Sequence, residues 1–65
     1  MATTELQAIV RFRLACCHAR LGEPEPALEE LRRAIEINPS FRERAADEED
    51  LASLRKHEGW SAAVG

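Results

Sequence analysis

Gly22, Pro24, Pro26 and the pair Asn38-Pro39 divide this chain more firmly than any apolar pattern does. Glycine closes helices in the left-handed conformation, and proline is accepted in the first helical turn, where backbone N–H groups have no intrahelical partner. A proline also pushes its predecessor out of helical geometry, so Asn38 ends whatever comes before it. Between these marks apolar residues recur at helical spacing. The spacing predicts a first helix over about residues 4–21 and a second over about 24–37, beginning abruptly at Pro24. A capping segment over about 40–60 and a frayed tail over 61–65 complete a single all-α domain spanning residues 1–65.

The second helix is amphipathic. Ala27, Leu28, Leu31, Ala34 and Ile35 share one face, with Glu29, Glu30, Arg32, Arg33 and Glu36 mostly opposite. Glu29 with Arg33 and Arg32 with Glu36 are opposite charges four residues apart, each contributing ~0.2–0.5 kcal/mol on a solvated face. Beyond Pro39, Ser40 is expected to cap a short helix carrying Phe41, Ala45 and Ala46. Asp47 with Asp50 resembles a cap for a last helix bearing Leu51 and Leu54, which Gly59 ends before Trp60 folds back.

The first helix is apolar on two sides. At about 100° per residue, Leu6, Val10, Leu14, Cys17 and Leu21 fall on one stripe, the expected core face. Ile9, Phe12, Cys16 and Ala19, flanked by Ala8 and Ala15, fall nearly opposite and are expected to face a partner. Arg13 and Arg20 separate the stripes along one edge; Gln7, Arg11 and His18 separate them along the other.

A net charge of −3 argues against nucleic acid, and no apolar run is long enough for a membrane span. The opening residues do not form a targeting peptide, so a cytoplasmic protein is expected, and Met1 suits a complete small protein and a piece of a longer one equally. Adjacent Cys16 and Cys17 diverge on a helix, so they form neither a disulfide framework nor a two-thiol metal grip. His57 is remote, and neither a metal site nor a cofactor is expected. No catalytic constellation or phosphate-binding glycine loop is evident. The remaining chemical reading is a thiol at Cys16 made acidic by Arg13 or Arg20.

The stretch LACCHARLGEPEPALEELRRAIEINP resembles one tetratricopeptide repeat, a helix–turn–helix unit. Leu14, Ala27, Ala34 and Pro39 match that family's signature; Ala15, Gly22 and Leu31 stand at its small, turn and large apolar positions. The resemblance runs from about Ala8 to Pro39. It departs at Arg11 and His18, where the family carries aromatic residues. The tail resembles segments that close such arrays in bacterial proteins. The resemblance implies a non-catalytic protein-binding scaffold whose first helix lines a concave groove with Ile9, Phe12, Cys16, Ala19 and Arg20, Arg13 lying nearby. The clamp that some members form on a peptide carboxylate uses Lys and Asn at several of these places; Ile9, Phe12 and Cys16 stand here instead.

These expectations combine into a module that binds a protein partner, a helix or peptide, through an apolar face of its first helix. The alternative is self-assembly with no external client. Repeat units rarely bury a continuous core alone, so the isolated chain is expected to form a homo-oligomer.

Overall fold

A computed structural model describes residues 2–65; Met1 lies outside the described residues. Four α-helices follow one another: α1 (Ala2–Arg20), α2 (Pro24–Ile37), α3 (Phe41–Asp47) and α4 (Trp60–Val64), with 3-10 turns at Glu49–Leu51 and Leu54–Lys56 between the last two. No strand occurs among the described residues. The architecture is an all-α, tetratricopeptide-like helix–turn–helix closed by short helices.

Gly22 makes the first turn. Its φ of 75° lies in the left-handed region, and the chain forms a complete two-bond C-terminal cap there. The Gly22 N–H donates to the Ala19 carbonyl at 3.1 Å and the Glu23 N–H to the His18 carbonyl at 2.9 Å. An apolar contact usually accompanies such a cap. Here the His18 ring Nδ1 and the Glu23 carboxylate meet instead, at 2.7 Å. Pro24 is then the first residue of α2, where its missing N–H is no loss.

The two long helices close on alanine. Ala8 and Ala15 on α1 and Ala27 and Ala34 on α2 are all fully buried in one cluster, together with Leu31. Residues without bulk let two helix backbones approach, and Phe12, Leu28 and Ile35 fill the space beside them. Arg11 spans the same pair, donating to Glu30 at 2.8 Å. This ion pair occupies the place where the family carries an aromatic residue.

This seam reverses the expected core face of α1. Leu6, Val10, Leu14 and Leu21 are exposed at 60%, 47%, 38% and 72%, and Cys17 is exposed with them. Phe12 lies inward at 7% exposure. The reason is volume: the alanine-lined side of α1 fits against α2, whereas the leucine-rich side would hold the helices apart. Hydrophobicity alone could not choose between the stripes.

The C-terminal segment supplies the rest of the core. Phe41 packs on Phe12 with ring centroids 5.0 Å apart, and the Arg44 guanidinium lies 5.9 Å from the Phe12 ring and 5.3 Å from the Phe41 ring. Leu51 and Leu54, each on a 3-10 turn, are buried. Arg55 donates to the Ala45 and Glu48 carbonyls, both at 2.9 Å, and so satisfies the end of α3.

Several local expectations are corrected. Ser40 makes no side-chain cap; its hydroxyl and its N–H both donate to the Asn38 side-chain oxygen, which completes the turn at Pro39. Glu48, rather than Asp47, precedes the first 3-10 turn and accepts from the Asp50 N–H at 3.4 Å. Leu51 and Leu54 lie on two short turns instead of one last helix. Residues 61–65 are not frayed: α4 packs against α2 with Ala63 buried, and Arg42 donates to the Val64 carbonyl.

Two substitutions test this fold. At Gly22 an added Cβ meets nothing within 4 Å, so Gly22→Ala has only the left-handed backbone to oppose it and is expected to lower stability by about 1–2 kcal/mol in chemical denaturation. Phe12→Ala removes the ring that joins α1 to α3 and is expected to cost about 3–5 kcal/mol. A domain this small has little more than that to lose. Circular dichroism should therefore show largely unfolded Phe12→Ala at ambient temperature.

Candidate functional site

Five of the six residues expected to meet a partner line one cleft. Ile9, Phe12, Arg13, Cys16 and Arg20 form one wall of a cleft of about 400 Å³, with Phe41, Arg44, Glu48 and Asp50 opposite. Ala19 is half-buried and lies in a separate hollow beside Pro24, Leu54 and His57. Helical spacing aligns the first wall, because residues three and four apart share a side of α1. The turn at Asn38-Pro39 brings the second wall back over it.

The members of this wall differ in what they can offer. Ile9, Arg13 and Arg20 are exposed, whereas Cys16 is half-buried. Phe12 has almost no surface left, since Phe41 and Arg44 cover it. It holds the cleft in shape rather than presenting an open face. The expected division of the cysteines is likewise reversed: Cys16 packs against the core and Cys17 is exposed.

Cys16, Glu48 and Asp50 come together although far apart in sequence. Their sulfur and carboxylate ligand atoms all lie within 4.8 Å of one another. Burial and then the two carboxylates push the Cys16 thiol up to about 11, and Arg13 opposes this only weakly. The acidic thiol expected from the nearby arginines is therefore not what the cleft contains. Glu48 and Asp50 were not foreseen as its neighbours, because no periodicity links residue 16 to the acidic turn. The run of acids at residues 47–50 was visible, but its position against α1 was not.

A second surface lies around α1 from the cleft. Leu6, Val10 and Leu14 form one side of a wide open groove of about 680 Å³, with Arg33, Glu36 and Ile37 of α2 on the other. Leu21 continues the stripe toward the turn. Every large hydrophobic residue exposed among the described residues lies on α1 or directly after it: these four and Ile9. The outer face of α2, by contrast, is closed by its own charges. Glu29 accepts from Arg32 at 2.7 Å and from Arg33 at 3.0 Å, which holds its carboxyl below the usual range, and Arg32 also donates to Glu36 at 2.9 Å.

The thiol's surroundings yield a direct test. With alkylating reagent at neutral pH, peptide mapping should find Cys17 modified first and Cys16 slowly, with Cys16 reacting readily only as the pH approaches 11. Glu48→Gln combined with Asp50→Asn removes two of the causes and should shift that onset to lower pH. Rapid neutral-pH alkylation of Cys16 in the folded chain would contradict this electrostatic account.

No helix among the described residues is long and apolar enough to cross a membrane. Comparison with curated proteins and with solved structures finds no match. The family model described as Tetratricopeptide repeat does match, over residues 8–41, from the first seam alanine through the aromatic that covers Phe12. Such repeats generally mediate protein–protein interaction and are typically non-catalytic. With more than half of its 65 residues inside that match and its paired helices closed on the motif's alanines, the chain belongs to the tetratricopeptide repeat family.

Proposed function

We propose that this protein is a non-catalytic interaction module that receives an apolar helix or segment of a protein partner on the exposed stripe of α1. One observation carries the reading: Leu6, Val10 and Leu14 are exposed along a single side of α1, and Leu21 continues that line just beyond its end. Contiguous apolar surface of this kind marks contact sites on soluble proteins. The contact surface includes Ile9, Arg13 and Arg20 at the border between stripe and cleft. Cys16 and Ala19 support it from the partly buried side, and Phe12 acts from within the core.

Catalysis is not part of this reading. The thiol at Cys16 is held protonated, which opposes nucleophilic chemistry at neutral pH. The two unpaired thiols suit a reducing compartment, in keeping with the cytoplasmic placement drawn from the sequence.

Self-association through the same stripe is the competing reading, favoured by the apolar area that a lone repeat leaves uncovered. Val10→Asp separates the two when combined with sedimentation across a dilution series. Val10 is half-exposed, so the substitution should retain helical content while lowering capture of a protein partner at least tenfold. A wild-type chain that sediments as a tight dimer, and becomes a monomer as Val10→Asp, would favour self-assembly instead. Unchanged partner capture by Val10→Asp would remove the stripe from consideration.

A further inference from the structure

The stripe carries available charge along one border only, and this asymmetry indicates what its occupant must bring. Toward α2, the neighbouring polar groups are engaged: Arg11 bonds Glu30 at 2.8 Å and His18 meets Glu23 at 2.7 Å. On the opposite border, Arg13 and Arg20 are exposed, and neither enters an ion pair among the described residues. They share the cleft with Glu48 and Asp50 yet pair with neither. Seven residues separate them, two helical turns, which sets the two guanidinium stems about 10.5 Å apart along the axis.

We infer that the partner is an amphipathic helix bearing acidic side chains seven residues apart on one border. Its apolar stripe meets Leu6, Val10, Leu14 and Leu21, and its carboxylates meet Arg13 and Arg20. The inference rests on the stripe reading above and adds the partner's chemistry and register. Guanidinium forks match carboxylates in geometry as well as in charge. The charge of α1 itself points the same way, since it has three arginines against Glu5 alone.

A second copy of this chain is the poorer occupant. Antiparallel two-fold pairing of α1 with itself lays the Arg13–Arg20 border against the same border. Parallel two-fold pairing lays it against the edge holding Arg11 and His18. The antiparallel arrangement sets cation against cation, and in the parallel one the facing Arg11 is already paired with Glu30, so neither supplies unpaired carboxylates to Arg13 and Arg20.

Two synthetic helical peptides as long as α1, with leucines at the spacing of the stripe, test the inference. One carries glutamates seven residues apart along one border; the other carries glutamines there. Fluorescence anisotropy at low ionic strength is expected to show the glutamate peptide binding about three- to tenfold more tightly, as two exposed ion pairs allow. The difference should close as salt is added. Arg13→Gln with Arg20→Gln changes only exposed positions and should erase the difference between the two peptides. Arg13→Glu with Arg20→Glu should transfer the preference to a lysine-bordered peptide. Equal binding of the glutamate and glutamine peptides to the wild-type chain overturns the charge inference and leaves stripe binding standing. Failure of both peptides to bind overturns the stripe reading itself, as does a stable dimer that closes the stripe.

Discussion

The alanine seam between α1 and α2 determines the rest of the molecule. Ala8, Ala15, Ala27 and Ala34 are each fully enclosed, and on each helix the pair stands seven residues apart, two turns along the same side. Close helix approach requires small side chains where the axes are nearest, and packing density in such a seam approaches that of a crystal. Once this side of α1 is committed, its leucine-rich side must face outward. The exposed stripe is thus a consequence of how the core closes.

The C-terminal segment covers one side of the helix pair. Phe41 reaches Phe12 across the end of the helix pair, and Arg44 lies over both rings. Leu51, Leu54 and Ala63 extend the same apolar cluster. Arg55, with two backbone carbonyls, fixes where α3 stops and therefore where the acidic turn lies. The small core is completed within the chain rather than by a disulfide, which a domain of this size often requires.

How far the sequence could be read follows from which physical rules are local. The helix pair, its left-handed glycine and the family resemblance were legible, because capping and proline effects depend on adjacent residues. The paired charges on α2 were legible for the same reason. Which side of α1 faces inward was not, since Leu6–Leu21 and Ile9–Ala19 are both apolar at helical spacing and only complementarity with α2 distinguishes them. One signal was available: the seven-residue interval of Ala8 and Ala15 repeats that of Ala27 and Ala34. The partner of Cys16 was hidden for another reason. Glu48 and Asp50 approach it only after two turns and two helices have been placed, and no sequence interval encodes that approach.

The cleft and the stripe also differ in what kind of recognition they can perform. In the cleft, a ring, a thiol and two carboxylates already face one another, and burial with like charge keeps the thiol protonated. Its groups largely satisfy or restrain each other. Along the stripe the apolar side chains stay exposed, and among the described residues no ion pair engages the two arginines beside them. Binding draws its free energy from groups that gain partners on association, so the stripe has more to gain than the cleft. In the proposed function, attraction by the leucines and selection by the arginines come from adjoining sides of one helix.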